Sequence, residues 1–458
     1  MGGLQGDLMR KKIVVAGGGI AGIVSALTAK KNGFDVALIE QKKYIGGLLR
    51  SFKTKNGYIF DQGTHLLGNT SSSELDSMVY GDISEDFYRI LPETGSGVFY
   101  KGINESNSFI DIRSLSKCDY DKALLEILEC NDMSEEFENL EHQLKFTFGH
   151  TIYTRILSPV IQKLFGMDAK LLNSDSHLLF GIRRIIAFSS KTSELLKKIK
   201  VYDDKLGHHT KKHDKNFKTF YPNQGGVGSW IDGLLEKLVQ NEVDIYTEES
   251  IESIEYKNSE ITDITLKSGK KIKCNHLVWT LPVVFLENIV NKNNESSKSA
   301  VKPMFMSSSL YHFVIDKPYL TKAYYLYFYD PTFRTFRATF YNNFRVGEVD
   351  KYLVTVEVIS NPSFKSIPDE KDIFNELKES KVIPSDATFI ECSVNELAAG
   401  FPLPTKDLVQ KNISIHDRMV KSFYNVSMLG KTSNSGFFMQ DVMLSSFNEV
   451  NQVADKMK

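Results

Sequence analysis

The sequence predicts an α/β chain, a parallel sheet entered through a glycine loop, with an α+β part inserted into it. Three observations predict this. A β-branched strand, a glycine-rich turn and a small-residue helix open the chain and lead straight into a second apolar strand. Short apolar strands recur in the middle, His276-Leu-Val-Trp-Thr-Leu-Pro282, and near the end, Asn425-Val-Ser-Met-Leu-Gly430. Between them, Ser307 to Ile359 is rich in Tyr, Phe, Val and Thr at strand spacing.

The opening unit carries the most information. Lys11-Lys12 introduce the strand Ile13-Val-Val-Ala16, followed by Gly17-Gly-Gly19-Ile20-Ala21-Gly22 and a helix to about Asn32, where Gly33 is placed to end it. Asp35-Val-Ala-Leu-Ile-Glu40 is the second strand, and its unbroken apolar run fits a sheet covered on both faces. Gly17-x-Gly19-x-x-Gly22 has the GxGxxG dinucleotide spacing: the first glycine for the tight turn, the second for approach of a pyrophosphate, the third for close helix–strand packing. Ile20 and Ala21 complete a helix N-terminus whose free N–H groups and partial positive charge suit phosphate. Glu40, beside Gln41, stands where a carboxylate accepts from a ribose 2′-hydroxyl and disfavours a 2′-phosphate. The sequence therefore predicts a Rossmann-like dinucleotide site.

From Ser114 to about Ala187 the pattern is mainly helical, with Ser134 a candidate N-cap before Glu135 and Glu136. Lys191 to Lys218 is basic and contains His208, His209 and His213. No acidic or Cys partner completes a ligand set there, so the stretch reads as solvated loop, and no metal site is expected. Tyr221-Pro-Asn-Gln-Gly-Gly-Val-Gly228 leads into an amphipathic helix, Trp230 to Gln240, then strands Val243 to Thr247, Ile251 to Tyr256 and Ile261 to Leu266. The Ser307–Ile359 region reads as an antiparallel sheet forming one wall of a pocket, with tyrosines 324, 325, 327 and 329 in that wall. A last helix is expected from about Gln440.

With 458 residues two domains are expected. A net charge of −1 gives no global field for nucleic acid or an anionic membrane. Cys118, Cys130, Cys274 and Cys392 are scattered without a CxxC pair, as in reduced packing cysteines. No basic-then-apolar leader is read at Met1-Gly-Gly-Leu-Gln-Gly, and the apolar run Ile13–Ala29 is too short and too glycine-rich to span a bilayer. A cytoplasmic location and no transmembrane segment are the expectations.

Further residues carry a resemblance. Gly46-Gly47-Leu48 follows Glu40, with Arg50 and Ser51 behind it, and then comes Phe60-Asp-Gln-Gly63-Thr64-His65. Together with Tyr221-Pro-x-x-Gly-Gly-x-Gly228, Trp279-Thr-Leu-Pro282 and the segment from Gly430-Lys431 through Gly436 to Asp441-Val442, this resembles the flavoprotein superfamily of amine oxidases, protoporphyrinogen oxidase, phytoene desaturases and UDP-galactopyranose mutase. The resemblance implies a Rossmann-like FAD-binding domain with an inserted α+β substrate domain. It implies FAD held by Gly46, Gly47, Leu48, Arg50, Gly63, Thr64, His65, Gly430, Asp441 and Val442 in addition to the glycine loop, Glu40 and Gln41. The expected FAD-binding domain is 1–68, 220–295 and 398–458, and the expected substrate domain 69–219 and 296–397. Lys431 departs from the arginine common in that segment, keeping a cation without the planar fork.

The middle of the chain is most similar to the mutase and protoporphyrinogen-oxidase-like branches, in Gly149-His-Thr-Ile-Tyr153 and Pro159-x-x-x-Lys163-x-Phe165-Gly-Met-Asp168. Arg183 falls where the mutases place a pyrophosphate-binding arginine, and Arg334 and Arg337 fall in a strand like another mutase arginine segment. Phe165 stands where the mutases carry Trp, and Phe401-Pro402 where Tyr-Pro is common. His65, heading toward the flavin ring, Arg183 and Arg337 are the candidate catalytic residues; alternation along the strand sends either Arg334 or Arg337 inward. The implied function is a FAD-dependent oxidoreductase of the protoporphyrinogen oxidase/amine oxidase-like type, with hydride transfer from a small-molecule substrate to flavin N5. One alternative is a mutase on a nucleotide-diphosphate sugar, using reduced N5 as nucleophile. The other is a non-catalytic FAD-binding protein.

Overall fold

Ile13, Val14, Val15 and Ala16 are all buried, as a strand covered on both faces must be. The computed structural model describes residues 10–92, 95–129, 136–207, 217–291, 304–345, 350–430 and 438–458. In it Lys12–Ala16 is the centre of a five-stranded parallel sheet. Asp35–Ile39 and then Asp244–Tyr246 lie on one side of it, His276–Trp279 and then Val426–Met428 on the other. Numbered along the chain, the strands run 3-2-1-4-5, the doubly wound order, so the strand order reverses between Lys12–Ala16 and His276–Trp279. Ligands of such sheets bind at that switch point, beyond the carboxyl ends of the strands.

The helix Ile20–Lys31 is buried from Ala21 to Ala29. It lies between the sheet and the helix Met439–Met457, and Ile23, Val24 and Leu27 share a core with Met443, Phe447 and Val450. Its small residues permit this double coverage. A three-stranded antiparallel meander, Ile251–Lys257, Glu260–Leu266 and Lys271–Lys273, forms the crossover to His276–Trp279.

The expected aromatic sheet is present and larger than the sequence indicated. Seven strands run in the order Phe389–Pro402, Phe305–Ile315, Tyr352–Ser360, Thr335–Phe340, Tyr325–Phe328, Ser96–Phe99 and Ile103–Asn104. Neighbours are antiparallel except Tyr325–Phe328 with Ser96–Phe99, which is parallel. The long strand Phe389–Pro402 pairs with Phe305–Ile315 as far as Pro402, across the 397/398 boundary drawn from sequence. The expected helical stretch includes Lys117–Leu128, Leu140–Phe148 and Ser158–Phe165. Leu144, Phe148 and Phe165 from these helices pack with Tyr329, Phe336 and Ile359 from the sheet.

Lys163 pins the two layers together: its Nζ donates to the carbonyl oxygens of Phe328, Asp330 and Thr335 at 2.5, 2.9 and 2.8 Å. Burial pushes this amine down to about 7. Leu140–Phe148 is capped by Asn139, whose side chain accepts from His142 N–H. Ser134, Cys130, the histidines 208, 209 and 213, Lys431 and Gly436 lie outside the described residues. No described helix is long and apolar enough to cross a membrane.

Candidate functional site

Each glycine of the loop meets a different constraint. Gly17 has φ +104°, and a Cβ there would stand 2.3 Å from Thr280 Oγ1 on the neighbouring strand end. A Cβ on Gly22 would stand 1.9 Å from the Gly17 carbonyl oxygen, so the helix can lie this close to the strand only with glycine at that position. A Cβ on Gly19 would meet no atom of the described residues within 4 Å, leaving open the face by which a phosphate could approach. The first intrahelical bond is Ile23 N–H to Gly19 O at 3.0 Å, and no side chain caps the helix. The N–H groups of Ile20, Ala21 and Gly22 therefore have no intrahelical acceptor.

Glu40 is 8% exposed, and its carboxylate accepts from Gly18 N–H and Lys42 N–H, each at 2.8 Å. Gln41 beside it is exposed. The second glycine pair lies on the first loop: Gly46 N–H donates to Gly18 O at 2.7 Å, and a Cβ on Gly47 would touch Gly19 Cα at 3.4 Å. Arg50 pairs with Asp232, while its buried Nε finds no hydrogen-bond partner among the described residues. Gly430 reaches the same end of the sheet, where a Cβ would lie 3.2 Å from Thr280 O and 3.9 Å from Ala21 Cβ. An open glycine face, uncapped N–H groups and an orphaned guanidinium nitrogen fit a dinucleotide pyrophosphate, and Gly17 to Gly22, Glu40, Gly46, Gly47 and Arg50 could hold it.

Beyond this loop a cavity of about 320 Å³ opens between three parts of the chain. Leu48, Gln62, Thr64 and His65 line it from the nucleotide side, Leu179 and Gly181 from the helical part, and Tyr325, Tyr327, Phe336 and Arg337 from the sheet. At its inner wall Arg337 donates from Nε and Nη2 to the two oxygens of Glu357, at 2.6 and 2.8 Å. Burial works against the Arg337 charge, but Glu357 and Tyr327 more than offset it and hold the guanidinium above its ordinary range. Glu357 is 3% exposed and also accepts from Thr64 N–H at 3.3 Å. A Cβ on Gly63 would lie 3.6 Å from both Glu357 oxygens and from His65 Nε2. That Nε2 contacts the Gln62 carbonyl oxygen at 3.0 Å. Burial draws the imidazole below its ordinary 6.5, against Asp61 and with help from Arg337.

The structure thus brings His65, Thr64 and Arg337 together. It keeps Arg183 apart: this side chain is exposed and does not itself line the cavity, its guanidinium lying 5.0 Å from the centre of the ring of Phe438, which does. Arg334 precedes the strand Thr335–Phe340 and lies over Phe364 instead of lining the cavity. Asp441 is exposed and accepts from Phe438 N–H at 3.3 Å, capping its own helix, while Val442 is buried beneath it. Of the four tyrosines expected in the sheet wall, Tyr325 and Tyr327 line the cavity, while Tyr329 packs into the helical core and donates to Phe180 O, and Tyr324 packs on Phe344.

Sequence reasoning missed Glu357. Its signal was present, a lone acid inside the apolar strand Tyr352–Ser360, which demands a buried partner. It also missed the partners of Asp61, which binds Arg345 at 3.0 Å, Ser51 Oγ at 2.6 Å, Val227 N–H at 3.1 Å and the Tyr221 hydroxyl. This buried cluster ties the Phe60-Asp motif to the N-terminus of the helix Val227–Gln240. Two other cavities, of about 330 and 700 Å³, flank Pro222–Gln224 and include neither the glycine loop nor His65.

Comparison with known proteins agrees with this geometry. Residues 15–79 match the NAD(P)-binding Rossmann-like domain. A 4,4'-diaponeurosporene oxygenase of Staphylococcus aureus (strain bovine RF122 / ET3-1) is 22% identical over 308 residues, 60% of this chain and 56% of that protein. The chain thus matches little more than half the length of this curated relative. Among solved structures, a reduced UDP-galactopyranose mutase is 18% identical with a TM-score of 0.75, covering 98% of this chain and 95% of that one. A protoporphyrinogen oxidase-like protein from Exiguobacterium sp. 255-15 is 12% identical with a TM-score of 0.67, covering 97% and 99%. An oxidoreductase from Methanosarcina mazei is 15% identical with a TM-score of 0.62, covering 96% and 100%. In fold the chain is similar to these mutase and oxidase-like structures over nearly its whole length, and residues 15–79 carry the Rossmann-like match.

Proposed function

We propose that the chain is a FAD-dependent oxidoreductase of the protoporphyrinogen oxidase/amine oxidase-like type, acting on a small molecule in the cavity between the glycine-loop sheet and the seven-stranded sheet. In this reading residues 1–68, 220–295 and 398–458 hold the cofactor, and the rest shape the substrate side. The observation that carries it is the inner cavity wall. Arg337 is committed to Glu357 by two parallel contacts, so the wall presents a neutral ion pair beside a neutral imidazole. Such a wall suits removal of a hydride from an uncharged carbon. When bound, FAD supplies a hydride acceptor or, in its reduced form, a nucleophile.

The chain's own residues bind and orient. The glycine loop and Arg50 take the diphosphate, and Glu40 the ribose. His65, whose Nε2 is tied to the Gln62 carbonyl, offers its imidazole as a neutral hydrogen-bonding group at the reacting end. Tyr325, Tyr327 and Phe336 exclude water from the reacting centre.

A flavin-dependent mutase acting on a nucleotide-diphosphate sugar is the second reading. It is favoured by Arg183 beside Phe438, without a carboxylate partner among the described residues, and by the likeness to a UDP-galactopyranose mutase over 98% of the chain. One experiment separates the two: record the flavin spectrum of the purified protein, reduce it anaerobically with dithionite, add UDP-galactopyranose and analyse the products. Furanose formed only by the reduced protein supports the mutase reading and removes the first. No sugar turnover, with bleaching of the oxidised flavin by an electron-donating substrate, supports the oxidoreductase.

A further inference from the structure

The charges around the cavity are distributed unevenly from floor to rim. At the floor, the Arg337 and Glu357 charges cancel within one bidentate contact, and Arg337 has two of its guanidinium nitrogens engaged. Burial also keeps the His65 imidazole neutral near pH 7. Leu48, Leu66, Leu179, Tyr327, Phe336 and Phe401 make most of the remaining wall apolar. At the rim the situation inverts. Arg183 is exposed, rests on the face of Phe438 and has no carboxylate partner among the described residues, whereas its neighbour Arg184 lies 3.8 Å from Asp203. Phe438 is itself 42% exposed, so the stacked pair stands at the opening. A guanidinium stacked on an aromatic ring has lost part of its rotamer freedom and presents its N–H edge outward.

We propose that the cavity takes an amphiphilic monoanion, whose apolar body enters between the sheet and the nucleotide side while one terminal carboxylate is held by Arg183 at the rim. This rests on the reading of the cavity as the active site and adds the substrate class. A nucleotide diphosphate suits the site less well. It would need a second free cation, and Arg337 is occupied by Glu357. It would also bring further negative charge toward a buried carboxylate. An apolar chain without an anionic end would leave Arg183 without a role. Arg183 is in this proposal a binding residue that fixes which end of the substrate faces out.

The test uses the flavin-loaded protein as purified and isothermal titration calorimetry with three probes: decanoate, decanol and UDP. Decanoate is expected to bind about tenfold more tightly than decanol, a difference of about 1.4 kcal/mol, and UDP more weakly than decanoate. In Arg183→Gln the decanoate affinity is expected to fall to that of decanol, with decanol unchanged. Added salt should weaken decanoate alone. Equal binding of decanoate and decanol to the unaltered protein overturns the proposal, as does UDP binding that displaces decanoate. Calorimetry requires no turnover. Decanoate binding by a protein whose flavin never cycles would remove the oxidoreductase reading and keep this one, and UDP binding by a cycling flavoprotein would do the reverse.

Discussion

Glu357 holds Arg337 through two parallel contacts of 2.6 and 2.8 Å, and the pair is buried where the seven-stranded sheet meets the Gly63–His65 segment. The two residues come from adjacent antiparallel strands and are opposite one another in register. Burying two charges is costly, and the attraction between them recovers that cost only while both are present.

Glu357→Gln therefore leaves an uncompensated guanidinium and should lower unfolding stability by about 3–5 kcal/mol. The double variant Glu357→Leu with Arg337→Met should recover most of that loss. Urea unfolding of the four proteins measures the coupling directly. An unshifted midpoint in Glu357→Gln would show that the pair is solvated in solution.

Gly19 and Gly22 should fail in different ways. A Cβ at Gly19 would meet no atom of the described residues within 4 Å, so Gly19→Val should fold normally and purify without flavin. At Gly22 the added carbon lies 1.9 Å from Gly17 O, so Gly22→Ala should cost about 1–3 kcal/mol or more through forced backbone movement. The flavin-to-protein absorbance ratio and the melting temperature, read together, distinguish the two. A Gly19→Val protein with full flavin content would remove the cofactor assignment.

Three histidines make the fold sensitive to acid. Burial lowers His177 and His276 to about 4 and His312 to about 3. The unfolded chain binds protons at these sites from about pH 6.5 downward, and the folded chain does so only near those lower values. Stability should therefore be full above pH 6.5 and fall steadily toward pH 4, with proton uptake on unfolding. Denaturant titrations at pH 7, 6, 5 and 4 test this. In His276→Gln, which removes the contact to Ser427 Oγ at 3.0 Å, the slope below pH 6.5 should be shallower.

Asp61 is another buried acid with several partners. Asp61→Ala strips acceptors from Arg345, Ser51, Tyr221 and Val227 N–H at once and should cost about 3–5 kcal/mol. Protection of the Val227–Gln240 amides against hydrogen exchange should fall in parallel. Unchanged protection there would show that the helix does not depend on this cap.

How much of this was legible depended on how local each requirement is. Gly19, Gly22 and Glu40 answer to neighbours near in sequence, so spacing singled them out, whereas Gly17 also meets Thr280 on a strand end far along the chain. The strands His276–Trp279 and Val426–Met428 could be seen as apolar runs, and only the parallel pairing of each on its neighbour was hidden. The cavity's far wall is the opposite case. Arg337 and Glu357 become partners through a register set by the whole sheet, and Arg183 and Arg337 look equivalent as letters. Burial makes one of them a structural ion pair, and the other is exposed with no carboxylate partner among the described residues. The strand Phe389–Pro402 was missed because its Ala398-Ala-Gly400 stretch lacks β-branched character, and tertiary pairing overrides that.

The strand order has a consequence for biosynthesis. The centre of the parallel sheet is made first, at Lys12–Ala16, but its outer strand Val426–Met428 and the helix Met439–Met457 that covers Ile20–Lys31 are made hundreds of residues later. While the ribosome is still working through the intervening sequence, the apolar faces of the first helix and strand have no permanent cover. The nascent chain should thus depend on chaperone shielding until residue 457 has emerged, and the nucleotide pocket should mature only after translation.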